Sequence, residues 1–258
     1  MKKSILFFML LIPLVLQGQT EGIAIEEVVI LPDFVYTTNQ LFIKGNNDST
    51  FQYNFLDMVN NHTLMTGKLK SLDPLHRTGK YMFYTPDGAP YASGFYNNNI
   101  PFRAWSIFDG EGQVVKSLNF SAAIQYLNNY GNVDLGDDYI ESLEKTPGYR
   151  KKDIKDFLVF IEENAVYPPF SLINDEQGRI LCQFVIDKSG KLINIKILEG
   201  LNEDFDLEVI RLLSLAPPWK PLKVKGDPVN AVYTFPLNFK IPDSPSSDEG
   251  TETEPGLQ

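Results

Sequence analysis

Between Tyr167 and Phe239 the apolar residues alternate, alternate again, fall into the spacing of a helix, and return to alternation, with glycines or prolines at each change. Such an order closes a core by laying the helix on a sheet made from the strands around it. Ile180, Cys182, Phe184 and Ile186 share one face of Arg179 to Asp187, and Ile193, Ile195 and Ile197 continue the alternation through Glu199. Asp187-Lys-Ser-Gly190 joins them as a tight turn, so the pair is an antiparallel hairpin with one buried face.

Phe205, Val209, Leu212, Leu213 and Ala216 form a helical stripe across Asn202 to Leu215, and Pro217-Pro218 ends it. Glu203 and Asp204 complement the dipole at its start. The helix is expected on the hairpin's apolar face. Ahead of the hairpin, Ile154, Phe157, Leu158 and Ile161 recur at helical spacing from Asp153 to Asn164. That helix must stop before Pro168, which leaves Tyr167 at a rigid corner.

In the last element, Ala231 to Ile241, Tyr233, Phe235, Leu237 and Phe239 lie on one side, and Val232, Thr234, Asn238 and Lys240 on the other. Pro236 interrupts it, and a proline cannot donate to a ladder. The strand is therefore expected at a sheet edge, where a partner's extended peptide can complete the unpaired backbone.

The run Phe157 to Asn164, Tyr167-Pro168, Gly178 to Asp187, Gly190, Asp206 to Arg211, Pro218-Trp219-Lys220-Pro221, Gly226 to Val229 and Tyr233 to Phe239 resembles the C-terminal domain of the TonB family, in its Bacteroidetes-type form. The resemblance implies a small antiparallel sheet with helices on one face. It also implies that an outer-membrane receptor's N-terminal peptide, or that of another envelope protein, adds as a strand beside the last one. On that basis Val232, Tyr233, Thr234, Phe235, Leu237, Asn238 and Phe239 mark the peptide-binding strand, with Tyr167 as a neighbour. The aromatic and leucine side chains are at the same time expected in the core, since recognition uses mainly backbone.

Lys2 and Lys3, then the apolar run Ile5 to Leu16, then polar Gln17 to Thr20 have the layout of a secretory signal. Twelve apolar residues are too few for a spanning helix, which needs about 20. Cleavage is expected near Gly18, and no cysteine near it offers a lipoprotein anchor. With the resemblance, this implies a periplasmic protein that touches the membrane only indirectly; an uncleaved inner-membrane anchor is the alternative.

Behind the signal, Ile23 to Leu31 and Phe34 to Ile43 read as strands. Gly79 to Gly88 then aligns with Arg103 to Gly112 at a period of 24, pairing Tyr81 with Trp105 and Gly88 with Gly112. Together with Gly67-Lys-Leu-Lys70 and Gly94 to Asn99, the segment resembles MORN-like repeats: an antiparallel meander with aromatics on one face and Asp-Gly or Asn-Asn turns. Packing is the expected role of Tyr81, Tyr84, Tyr91, Tyr96 and Trp105; a ligand platform is the alternative. The connector is expected to carry helices near Ser121 to Asn129 and Asp137 to Lys145.

The fold expected is thus α+β, a small antiparallel sheet with helices on one face preceded by a mainly antiparallel meander. The division expected is a signal over 1–19, the repeat domain over 20–120, a connector over 121–150, the TonB C-terminal-like domain over 151–241, and a disordered acidic tail over 242–258.

A net charge of −10 speaks against a nucleic-acid partner, and the tail supplies half of it through Asp243, Asp248, Glu249, Glu252 and Glu254. Cys182 is the sole cysteine and sits among apolar residues, as a packing thiol does. His62 and His76 are the only histidines, and no metal-ligand spacing, phosphate loop or nucleophile motif occurs. The chain reads as a binding protein without cofactor or catalytic residues. Between signal and C-terminal domain it has a meander where an energy transducer carries a Pro-rich rod, so a periplasmic adaptor or scaffold without a role in energy transduction is the second reading.

Overall fold

The structure is a computed structural model that describes residues 28–34, 39–45, 50–57, 60–132, 139–140 and 151–241. The expected signal and tail lie outside the described residues. Strand β1 (Val28–Ile30) pairs far along the chain, while β2 (Asn39–Gly45), β3 (Phe51–Asp57), β4 (Thr63–Leu72), β5 (Leu75–Tyr84), β6 (Pro90–Asn97), β7 (Ile100–Phe108) and β8 (Val114–Asn119) form a seven-stranded antiparallel meander in chain order.

Its turns follow from residue chemistry. Asn98 and Asn99, both at positive φ (48° and 71°), close the β6–β7 hairpin in the backbone form that the strand twist favours. Gly88 and Gly112 occupy the equivalent place in the β5–β6 and β7–β8 hairpins, at φ 87° and 77°. The aromatic pair of the period repeats as well. The Tyr81 ring covers Gly67, and the Trp105 indole covers Gly94, so that a Cβ at either glycine would lie 2.1 Å or 1.9 Å from a ring carbon.

Helix α1 (Phe120–Tyr130) follows, capped by the Asn119 side chain, which accepts from the Ala122 amide. The second helix expected in the connector, over 137–145, is corrected at its described residues: Tyr139–Ile140 is a two-residue strand, β9, that runs parallel to Asn230 and Ala231. Backbone pairing to an exposed strand there overrides a weak helical period.

The C-terminal part contains α2 (Lys151–Asn164), α3 (Pro169–Ile173), β10 (Gly178–Ile186), β11 (Leu192–Glu199), α4 (Glu203–Leu215), β12 (Leu222–Val224) and β13 (Asp227–Phe239). Helix α3 is new relative to the sequence reading: Pro169 at its first position supplies the right φ and lacks only an amide that no helix bond would use. The second sheet has the order β1-β13-β10-β11, with β9 and β12 also on β13. Phe157, Phe184, Phe205, Val209, Leu212, Leu213, Phe235 and Phe239 bury between α2, α4 and this sheet. Each such side chain contributes about 1.5–3 kcal/mol of apolar burial.

Helix α4 is buried on two faces. Its apolar stripe meets the sheet, while Leu207 joins Tyr53, Tyr81, Tyr96, Trp105, Val166 and Ile173 in a second core against the meander. Tyr81, Tyr91, Tyr96 and Trp105 are buried there, as packing residues are. The same face of α4 carries charge. Asp204 pairs with Arg77 of β5 and accepts the Tyr96 hydroxyl at 2.6 Å, and the Arg77 guanidinium lies 4.1 Å from the centres of both the Tyr96 and Phe170 rings. Burial pushes the Asp204 carboxyl up from the ordinary carboxylate range, against the pull of Arg77. One turn on, Glu208 holds Arg211 at 2.6 Å and accepts the Val166 amide at 2.9 Å, while Arg211 donates to the Asn164 carbonyl. That network fixes the exit of α2 and hence the place of Tyr167.

Candidate functional site

Strand β13 carries the expected site, and its two edges differ. One edge is fully paired: β10 runs antiparallel from Gly178↔Phe239 to Ile186↔Ala231 without a register shift. The other edge is not free along the whole expected length. Leu237, Asn238 and Phe239 pair in parallel with Val28, Val29 and Ile30, and the Lys240 amide donates to the Ile30 carbonyl at 3.0 Å. At the opposite end β9 takes Asn230 and Ala231. A lone edge strand is therefore corrected to a strand with two short neighbours of its own chain, contributed by residues remote in sequence.

Between them, Val232 to Pro236 have no paired residue on that side among the described residues. Backbone groups alternate sides along a strand, so the Lys240 bond to Ile30 puts those of even-numbered residues on this edge. The amides and carbonyls of Val232 and Thr234 and the carbonyl of Pro236 face it. By the same registers the Val232 amide meets the Ile140 carbonyl and the Pro236 carbonyl meets the Val28 amide, so among the described residues the Val232 carbonyl and both backbone groups of Thr234 are left open on this edge. Pro236 lacks its donor on this edge, so the β10 ladder loses no bond. The stretch from Val232 to Pro236 is roughly 16 Å long.

The side chains divide by face. Tyr233, Phe235, Leu237 and Phe239 are buried, Thr234 is exposed, and Val232 and Pro236 are half-buried. The Tyr233 ring stacks on Phe184 at 5.8 Å, and Phe235 meets Phe157 at 5.4 Å. A partner on this edge would reach backbone and Thr234, with the aromatics as support. Tyr167, expected as a neighbour of the site, is only 2% exposed; its ring meets Phe205 and Phe239 edge-on and its hydroxyl donates to the Glu176 carbonyl at 2.7 Å. Tyr167 therefore braces the strand from the core and does not face a ligand. Asn238 is 5% exposed, and its side-chain Nδ2 has no hydrogen-bond partner.

Sequence reasoning missed both of the chain's own strands on β13. The apolar run ending at Leu31 was legible as a strand, but nothing local in it names β13 as its partner.

Cys182 lies on the face of β10 that packs into the core, fully buried, with its thiol directed at the Phe235 carbonyl at 3.2 Å. Burial pushes the thiol up to about 12. At about pH 8 the thiolate fraction is then on the order of one in ten thousand. A colorimetric thiol reagent is expected to leave the native chain unmodified and to report one thiol after unfolding in guanidinium. Fast native labelling would show that this sheet opens readily. Among the described residues no group of three or more His, Cys, Asp or Glu side chains could hold a metal ion. No helix among them is long and apolar enough to cross a membrane.

Residues 163–241 match the family described as the Gram-negative bacterial TonB protein C-terminal. That stretch runs from the end of α2 through β13, so it holds β10, β11, α4 and the candidate edge. No curated protein and no solved structure gives a significant match to the chain.

Proposed function

We propose that this chain is a cell-envelope protein whose TonB C-terminal-like domain binds an extended peptide of an outer-membrane receptor by strand addition along the outer edge of β13, in TonB-dependent transport. The observation that carries the reading is the stretch Val232 to Pro236 between β9 and β1, where the Thr234 backbone is directed outward without a neighbouring strand among the described residues and its side chain is exposed. Main-chain bonds supply affinity in such an addition, and the buried aromatic face keeps the strand straight enough to offer them. The family matched by residues 163–241 is a protein-interaction family whose members engage outer-membrane receptors, which agrees with a binding role and an envelope location. In this reading the N-terminal signal delivers the protein to the periplasm, and neither cofactor nor catalysis is involved.

A photo-cross-linking residue in place of Val232 tests it in cells. The expected adduct joins position 232 to the N-terminal segment of an outer-membrane receptor, and Thr234→Pro, which deletes the open outward donor, weakens it. Adducts that ignore this proline would place the contact off the backbone edge and sink the reading.

A second reading is an envelope adaptor or scaffold whose MORN-like meander is an integral part and which transmits no energy. The packing of the meander directly on α4, with Arg77 of one seated on Asp204 of the other, favours it. Force transmission needs a lever that reaches across the envelope, and a docked sheet is a poor one.

A further inference from the structure

Strand β1 occupies part of the edge to which the proposed function assigns a partner, and it does so in the manner of a partner. Its pairing is parallel, spans three residues and carries the bond from the Lys240 amide to the Ile30 carbonyl. The same register sets the Ile30 amide against the Asn238 carbonyl. Ile30 is 6% exposed and belongs to the core that contains Phe239. Just beyond it, Phe34 packs edge-on against Tyr91 of the meander at 4.7 Å, so the segment is held at its exit as well.

We infer that Val28–Ile30 is a built-in occupant of the β13 edge, which an incoming peptide must displace to pair along the full length from Val232 to Phe239. The inference rests on the strand-addition reading. Three observations make the occupant displaceable. Its ladder is short, so few bonds are exchanged. The open Thr234 backbone adjoins the covered stretch on the same edge, so a peptide can begin pairing there and advance towards Phe239 residue by residue.

The third is the buried Asn238 Nδ2, left without an acceptor beside β1. In the backbone register Asn238 pairs with Val29 of β1. A displacing peptide with a hydroxyl or carbonyl at that register would supply one and would gain where β1 leaves a buried donor unsatisfied. The class of ligand is thus an extended, apolar-flanked peptide with a short hydrogen-bond acceptor opposite Asn238.

A tethered occupant lowers the apparent affinity of a free competitor in proportion to the fraction of chains in which the edge is closed. The test uses the full chain and a fluorescent synthetic peptide with the chain's own sequence from Ala24 to Pro32, read by anisotropy. Ile30→Pro removes both the buried side chain and the amide that faces β13, and Ile30→Ala removes the side chain alone. Circular dichroism and thermal melting establish that each variant stays folded, and Ile30→Ala carries the test if the proline variant does not.

The expected result is binding about tenfold or more tighter to Ile30→Pro than to the unaltered chain, with Ile30→Ala between them. The same peptide with threonine at its Val29 position should bind the opened variants several-fold tighter again, and that gain should vanish with Asn238→Leu. Equal affinity for all three chains would overturn the built-in occupant and leave strand addition standing. No binding to any of them would overturn strand addition and the inference together. A threonine peptide that gains nothing would overturn the role assigned to Asn238.

Discussion

Arg77→Ala is expected to destabilise the chain by about 3–5 kcal/mol, because it leaves the Asp204 carboxylate buried without its cation. The side chain of Asp204 is 3% exposed, and after the change the Tyr96 hydroxyl is the donor that remains to it. Arg77→Lys recovers only part of the loss, since a point charge cannot lie flat between the Tyr96 and Phe170 rings and also donate to the Asn99 carbonyl at 2.9 Å.

The pH dependence has a definite sign. A buried carboxyl with a raised value binds its proton more tightly folded than unfolded, so protonation favours the folded state. The stability deficit of Arg77→Ala should therefore shrink as pH falls from about 8 towards the carboxylate range and grow as it rises. Urea unfolding at several pH values measures it. A deficit below about 1 kcal/mol, or one that grows on acidification, would show that the pair is not buried between the two units. In Asp204→Asn the charge is gone, and the pH dependence of the Arg77→Ala deficit should disappear with it.

Gly94→Ala is expected to cost about 3 kcal/mol through overpacking. The added Cβ would lie 1.9 Å from Cδ2 of Trp105, and that indole has no room to retreat: it meets Tyr96 at 5.1 Å, Phe83 at 5.9 Å and Phe120 at 5.9 Å. Its Nε1 also donates to the Phe95 carbonyl at 3.2 Å. Relief has to come from the backbone of β6, whose pairing with β7 already shifts register between Ser93 and Phe95. Gly67→Ala should act alike under Tyr81. Gly110→Ala is the control, since nothing lies within 4 Å of its added carbon. A Gly94→Ala chain that melts within a degree or two of the Gly110→Ala chain would contradict the seating of Trp105.

The elements that local pattern could specify were legible. The alternation through Ile180, Cys182, Phe184 and Ile186, the stripe through Phe205, Val209, Leu212 and Leu213, and the aromatic period that pairs Tyr81 with Trp105 all state which face is apolar, and burial follows from that. Asp204 shows where pattern stops. As an acidic residue in the first turn of α4 it reads as a dipole partner, yet its cation is 127 residues away. A charge carries no periodic signature of what it will face, and a helix buried on two sides looks amphipathic on only one.

The candidate site divides in the same way. Pro236 in an alternating strand marks an outward edge from sequence alone, because a missing donor is a local fact. What lies along that edge is not local. Any run of backbone can pair with any other, so the residues of β1 and β9 hold no code that names β13.

The sequence by itself determined the sheet-and-helix unit and the aromatic meander, since periodicity and composition are properties of neighbouring residues. Only the tertiary structure decided that the meander is seated on α4 through Arg77 and Asp204, and that the chain's own Val28–Ile30 lies on the edge. Both depend on which distant surfaces meet, and that is set by the sum of packing across the whole chain.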